Sequence, residues 1–475
     1  MAKNSKVALR LPPAWTSGLG CSALVIGLGI GSVRAVDISG VLPVAADQPQ
    51  TMALLEDAST GAVIYGSGAY AGTYAIQAYL DTGTSSILLS QETAGALGVG
   101  LATSGGQNVT INDVALGGTD TYSVSNPYNV LTAPYSVNVD TTIGNPPPPV
   151  SSFGMPVNSA AMEVSQQPAN ALVGPVDIMG MPVMEGNVTV INLAPANNVT
   201  NLNNLQETQT WIYKPGRVYN PSALTTNPGI VPTQYQVQMS FASFSQYTTV
   251  TPSTAAGPMQ DANPFIGPNP ITGAGANIPP ITLYYTQATP VGTQTNIATG
   301  SFLFDTGAQA SFISQAEAAK LGVSVLTDAS GNPYLVDAAT GQMLANQFVL
   351  PLTGAGGASI NAAGFYLDSL TLQTVQGVKI TFDGAPVLVE NFTLVNPSTG
   401  QALTLDGDLG MNFFEPSMTA DLSQLNATPF TWMTFDQPNG LLGLSLVPEP
   451  STMVLLTAAV TALALSKRRY RVRAS

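Results

Sequence analysis

The sequence contains no histidine and one cysteine, Cys21, in 475 residues. Without histidine there is no Ser-His-Asp or Cys-His relay and no imidazole-ligated metal. Cys21 lies in an apolar run near the N-terminus, so the body of the chain has no disulfide, thiolate zinc site or cysteine nucleophile. Charge is also scarce, at 8 % of residues. Of 13 Lys and Arg, four fall in 1–34 and five in 467–473, leaving only Lys214, Arg217, Lys320 and Lys379 between. Of 27 acids only Glu449 lies beyond 447, so 37–447 holds four basic and 26 acidic residues, a net charge of −22. Such a surface repels a phosphate backbone, so no nucleic acid partner is expected. A solvated acidic surface explains the charge more simply than a specific acidic function. A hydrolase built from this sequence would work with carboxylates, and neither a metal nor another cofactor is expected.

Glycine and proline are plentiful, 46 and 36 residues. Short apolar runs such as "ALVGPVDIMGMPV", "YQVQMSFASF" and "PITLYYTQ" are broken by turn formers. This pattern predicts a mostly β protein with long loops. The length allows roughly two to four domains.

Both ends read as addresses. Residues 1–35 carry Lys3, Lys6 and Arg10, then "GLGCSALVIGLGIGS", then "VRA". Basic, apolar, small-residue site is the order of a signal peptide, with cleavage expected after Ala35 and Ala46 as the alternative. Residues 448–475 read "PEPSTMVLLTAAVTALALSKRRYRVRAS". The Pro-Glu-Pro, apolar segment and basic cluster resemble the PEP-CTERM sorting signal of Gram-negative bacteria. That resemblance implies export, an exosortase-type enzyme as partner, processing near 448–450, and transient inner-membrane anchorage by a C-terminal transmembrane helix before a cell-surface or extracellular destination.

Between the ends the chain repeats itself. "DTGTSSILLSQETAGALGV" begins at Asp81 and "DTGAQASFISQAEAAKLGV" at Asp305, with nine identities over nineteen positions at an offset of 224. Each is followed by Gly-Met-x-apolar-apolar-Glu, Gly180 to Glu185 and Gly410 to Glu415, 99 and 105 residues beyond the Asp. The Leu-Gly-Val triplets predict helices from near Glu92 and Ala316 that end at a glycine cap.

These four motifs resemble the pepsin/retropepsin-like aspartic proteases. The resemblance implies a bilobed fold of two pseudo-symmetric, β-barrel-like lobes around a cleft, covering roughly 50–447. It places an N-terminal lobe at 48–215, a linker at 216–232 and a C-terminal lobe at 233–447. Each lobe supplies one Asp-Thr-Gly loop, beneath which an apolar-apolar-Gly segment crosses, at Gly180 and Gly410. Asp81 and Asp305 are then the catalytic pair, sharing a proton and activating a water against the peptide bond. Thr82 and Thr306 exchange hydrogen bonds between lobes, and Gly83 and Gly307 permit a turn where a side chain would clash. Thr84 can donate a hydroxyl to Asp81, whereas Ala308 cannot serve Asp305, so Asp81 is expected to be the more readily ionised member. The family's flap tyrosine corresponds to Tyr122, with Tyr128 as a rival and an ordinary strand tyrosine as the plainer reading. Ser85, Ser86 and Gln309 are candidate cleft residues. The chain departs from the family in Pro- and Gly-rich inserts near 145–157 and over 251–280, which read as surface loops.

The implied activity is an exported aspartic-type endopeptidase acting on peptide or protein substrates. Two alternatives stay open: a non-catalytic extracellular binding or matrix protein that retains the fold, and an enzyme that only processes itself. "DGDLG" at 406–410 suggests calcium only weakly, because no further spaced acids follow.

Overall fold

A computed structural model describes residues 35–446, apart from position 85 and the stretches 116–117, 135–148, 168–174, 195–207, 215–232, 240–258, 261–279, 290–291, 355–358 and 396–401. The expected signal peptide, linker 216–232, sorting signal and most of the 251–280 insert lie outside these residues.

The protein is mostly β. Apolar runs bounded by turn formers become short strands, and their inward residues gather into cores rich in phenylalanine. Phe302, Phe304, Phe365, Phe382, Phe413, Phe414 and Phe430 are fully buried, each worth about 1.5–3 kcal/mol of apolar burial. Phe382 meets Phe413 edge-on with ring centroids 4.8 Å apart, and Phe304 lies 5.0 Å from Phe414.

Two ten-stranded sheets carry most of the chain. The first is curled into a half-barrel. Within it run, side by side, Gln50–Asp57, Ala75–Leu80, Ile178–Met179, Ile87–Leu89, Glu163–Ser165, Gly118–Val124 and Thr110–Ala115. The second contains Pro280–Thr289, Gly292–Phe304, Gly407–Leu409, Phe312–Ile313, Pro386–Val389, Ser359–Tyr366 and Phe348–Thr353 in the corresponding order. Parallel and antiparallel neighbours alternate identically in the two series. In each, the last strand in sequence is inserted between the second and third. The Asp-Thr-Gly loop therefore joins two strands that are not neighbours, and must arch over the end of the inserted one.

A five-stranded sheet ties early and late sequence together. Val188–Asn192 pairs with Gln209–Tyr213 on one side and with Phe430–Asp436 on the other; Leu441–Leu446 and Tyr235–Gln238 complete it. Residues 36–45 join elements of later sequence: Val36–Ser39 runs parallel to Lys379–Asp383, and Val44–Ala45 pairs with Ser417–Met418.

The two expected helices are Gln91–Leu97 and Gln315–Lys320, N-capped by Ser90 and Ser314, which accept from the Thr93 and Glu317 backbone N–H groups, each at 3.1 Å. Gly98 closes the first in the left-handed region at φ 66°, which favours glycine; in the second, Leu321 is the cap and left-handed Gly322 follows.

Two expectations need revision. The 145–157 insert is not all loop: Gly154–Ala160 pairs with Tyr128–Ala133 at a sheet edge, with two register shifts. An edge position tolerates Pro156, which has no N–H to donate. In the 251–280 insert, Met259–Gln260 likewise adds an edge strand beside Ile111 and Asn112. The expected transmembrane helix and inner-membrane anchorage are corrected: among the described residues no helix is long and apolar enough to cross a membrane. The segment on which that expectation rested lies outside the described residues. Its apolar run, 453–465, has 13 residues, and a helix of that length reaches about 20 Å against a hydrocarbon core of about 30 Å.

Candidate active site

The two Asp-Thr-Gly loops meet. Thr82 and Thr306 are fully buried and make four hydrogen bonds across the contact, two of them with each other. The Thr82 N–H donates to Thr306 Oγ1 and the Thr306 N–H to Thr82 Oγ1, both at 3.0 Å. The Thr82 hydroxyl donates to the Phe304 carbonyl and the Thr306 hydroxyl to the Leu80 carbonyl, both at 2.6 Å. Each hydroxyl thus accepts once and donates once across the contact, which only Ser or Thr can do here.

This exchange sets Asp81 and Asp305 beside each other. A methyl group at Gly83 would lie inside 3.0 Å of the Asp305 carboxyl, and one at Gly307 inside 3.0 Å of the Asp81 carboxyl. Neither glycine has a positive φ. The requirement is for room opposite the other loop's acid.

Each loop also holds its own acid. Asp81 Oδ1 accepts from the Gly83 N–H at 2.7 Å, and Asp305 Oδ1 from the Gly307 N–H at the same distance. Beneath the loops, Gly180 and Gly410 lie where a side chain would strike the carbonyls of Thr84 and Ser86, or of Ala308 and Ala310. The Met181 N–H donates to the Thr84 carbonyl at 3.0 Å and the Met411 N–H to the Ala308 carbonyl at 2.8 Å.

Differences appear at the carboxyls. Thr84 Oγ1 donates to Asp81 Oδ2 at 2.8 Å, while Asp305 Oδ1 accepts instead from the Ala308 N–H at 3.1 Å. Burial pushes the Asp305 pKa well above the ordinary carboxylate value, and the charges of Asp81 and Asp408 push it further. Asp305 keeps some surface as a residue, yet its carboxyl is enclosed by these groups. Two carboxyls brought together can share a proton, and a water held by such a pair can be deprotonated by one member while the other donates.

The tyrosine expectation fares differently. Tyr122 belongs to the hairpin formed by Thr110–Ala115 and Gly118–Val124, but it is 3 % exposed and packs with Leu88, Val109, Val124 and Ile178. Tyr128 is also buried, and its hydroxyl accepts from the Gly100 N–H at 2.9 Å. Neither ring is displayed at a surface. Ser86 is buried with its hydroxyl unpartnered among the described residues, Gln309 is exposed, and Ser85 lies outside them.

Sequence reasoning missed three neighbours of the site. Gln48 donates its side-chain amide to the Gly307 carbonyl. Ser311 accepts from the Gly410 N–H at 2.8 Å and donates to Asn412 Oδ1 at 2.7 Å. Asp408, from the inserted strand, is buried near Asp305, and its charge acts to raise the Asp305 pKa. The signal for Asp408 was present: aligning Gly180 with Gly410 sets it opposite Ile178.

No protein-family model matches the chain, and no curated protein matches it.

Proposed function

We propose that the chain is an aspartic-type endopeptidase of the bilobed, pepsin-like plan, with Asp81 and Asp305 as its catalytic pair. The reciprocal threonine exchange carries this reading, because it joins two loops 224 residues apart and brings each loop's carboxyl against the glycine of the other. Mere packing of two strand–loop units would not require glycine opposite each acid.

In the proposed cycle a water lies between the carboxyls. Asp81 takes its proton as the water oxygen bonds to the scissile carbonyl carbon, and Asp305 gives its proton to the carbonyl oxygen. The result is a neutral gem-diol, a protonated Asp81 and an anionic Asp305. On collapse, Asp305 takes a proton back from a diol hydroxyl. The carbon–nitrogen bond breaks, and Asp81 passes its proton to the leaving nitrogen. The pair returns to its starting state without a covalent intermediate. The substrate is a peptide or unstructured protein segment that enters between the loops.

The test is incubation with denatured casein from about pH 3 to pH 7, beside Asp81→Asn and Asp305→Asn. The expected outcome is cleavage by the wild type and a loss of roughly 10³-fold or more in both variants. No cleavage by a protein shown to be folded would turn the reading to a binding module.

A further inference from the structure

Residues 45–49 lie across both Asp-Thr-Gly loops. The chain arrives there anchored to later sequence. The Leu42 N–H donates to Ser417 Oγ at 2.9 Å, the Leu42 carbonyl accepts from Asn412 Nδ2 at 3.3 Å, and Val44–Ala45 pairs with Ser417–Met418. The Ala45 N–H then donates to the Gln309 carbonyl at 2.7 Å, and the Gln48 side-chain amide to the Gly307 carbonyl. One residue further, the Pro49 carbonyl accepts from the Leu80 N–H at 2.8 Å, beside Asp81. Five consecutive residues thus hold two carbonyls of the Asp305 loop and the strand end that carries Asp81.

The Gly307 carbonyl is one end of a peptide whose other end is the Ala308 N–H. A trans peptide is planar, so its carbonyl and N–H point in opposite directions and neither turns without the other. That N–H donates to Asp305 Oδ1 at 3.1 Å, beside the Gly307 N–H at 2.7 Å. Gln48 therefore reaches the Asp305 carboxyl through one rigid unit: side-chain amide to carbonyl, N–H to carboxyl. A donor on the carbonyl also strengthens the N–H of the same peptide as a donor. At Asp81 the arrangement differs, because the Thr84 hydroxyl supplies a contact directly, at 2.8 Å. Ala308 has no hydroxyl. The side chain that supports Asp305 comes instead from the segment that precedes the first sheet, and it acts through the backbone.

We propose that Gln48 is a positioning residue for Asp305, acting through the Gly307–Ala308 peptide, and that residues 45–49 form a strap that sets the two loops in fixed relation. The catalytic consequence rests on the protease reading. With the peptide held, Asp305 Oδ1 keeps a donor of constant direction while the carboxyl gives its proton to the scissile carbonyl oxygen and takes it back. Without the Gln48 amide the peptide is free to rotate, the Ala308 N–H leaves Oδ1, and the carboxyl spends less of its time aligned with the water and the substrate. Gln48 acts on the loop and not on the substrate, so its loss falls on kcat and spares KM.

Gln48→Leu and Gln48→Glu, made in the full chain, test this by two readouts. Leu keeps most of the volume and removes the donor. NMR of the isotope-labelled protein should show the Ala308 amide proton moved upfield in Gln48→Leu, with the Gly83 amide, which donates to Asp81, in place. An Ala308 amide that stays at its wild-type position would overturn the proposal, and so would equal movement of both amides, the mark of a general disturbance. On a casein-derived peptide kcat should fall roughly 10-fold with KM within about twofold of the wild type; an unchanged kcat, or a loss confined to KM, would likewise sink it. Gln48→Glu has the same shape but donates only while its carboxyl is protonated. Its kcat, taken as a ratio to the wild type, should be near unity at about pH 3 and fall to the Gln48→Leu level by about pH 6. A ratio that stays flat over that range would show that the donor has no part in placing Asp305. A wild type that cleaves nothing would end the protease reading, while the Ala308 amide still decides whether Gln48 holds the Asp305 loop.

Discussion

The Asp81 and Asp305 loops agree in backbone and part company in side chains. Both acids accept from the glycine N–H two residues on at 2.7 Å, and both donate their own N–H to the inserted strand, at 3.2 and 3.1 Å. The hydroxyl beside Asp81 has no counterpart at Ala308, and the apolar Ile178 gives way to Asp408. The Gly180 N–H finds a carbonyl, that of Ser86, where the Gly410 N–H finds the Ser311 hydroxyl. Repetition is confined to what holds the loops in place. Divergence falls on what sets the proton inventory, and two identical loops would have no reason to assign different roles to their acids.

The comparison can be broken at several points. Gly83→Ala and Gly307→Ala each drive a methyl into the opposite carboxyl, and each should lower kcat/KM on a peptide substrate by roughly 10²–10³-fold. Equal losses would mark the loops as interchangeable supports; an intact rate in either variant would show that its acid has no fixed place. Thr82→Val and Thr306→Val each remove a donor and an acceptor from a buried exchange. Urea unfolding should register a loss of about 3 kcal/mol for either. A clear inequality between them would mean that the exchange is less reciprocal than its distances.

The pH dependence of stability sharpens the contrast between buried and exposed acids. Burial raises the pKa of Asp305, Asp408 and Glu415, and the charge of a neighbouring acid adds to the shift in each. Their folded forms keep protons that the unfolded chain loses near its ordinary carboxylate values. Their stabilisation is complete below those values and is lost as pH rises through the folded ones. Exposed Asp57 and Asp421, held down to about 2 by hydroxyl donors in their own turns, work oppositely and lose their contribution as pH falls through that value. Urea midpoints should therefore be highest near the ordinary carboxylate range and decline on both sides, and Asp408→Leu should shallow the decline on the alkaline side. The smallest effect concerns the helix caps. Ser90→Ala and Ser314→Ala should each lower stability by about 1 kcal/mol in the same urea assay. The Asp177 carboxyl, which accepts from the Ser90 N–H at 2.7 Å and the Thr93 hydroxyl at 2.6 Å, keeps both donors in Ser90→Ala, so the two losses should be equal.

Much of this was legible in the sequence because it depends on residue type at a fixed spacing. Asp-Thr-Gly followed by Ser-Gln and Leu-Gly-Val names the loop, the cap and the helix end at once. The crossing glycines could be found because nothing larger fits beneath the loops. Partners that come from distant sequence were not legible. Gln48 reaches Gly307 across 259 residues, and no local pattern marks it. Pro156 read as a loop residue because proline is foreign to sheet interiors, a rule that an edge strand escapes. Tyr122 was placed by distance along the chain, but its apolar ring is drawn into the cluster with Leu88 and Ile178.

The five-stranded sheet has a consequence for time. Val188–Asn192 must wait for Phe430–Asp436 before its second edge is paired, and closing so long a stretch of chain makes such pairings late steps in folding. During synthesis the first Asp-Thr-Gly loop therefore exists long before its counterpart is fixed opposite it. A lone carboxyl with no partner cannot share a proton. If the pair does hydrolyse peptides, the nascent chain is inert while its own unfolded segments are most exposed, and the last strands to arrive determine when that interval ends.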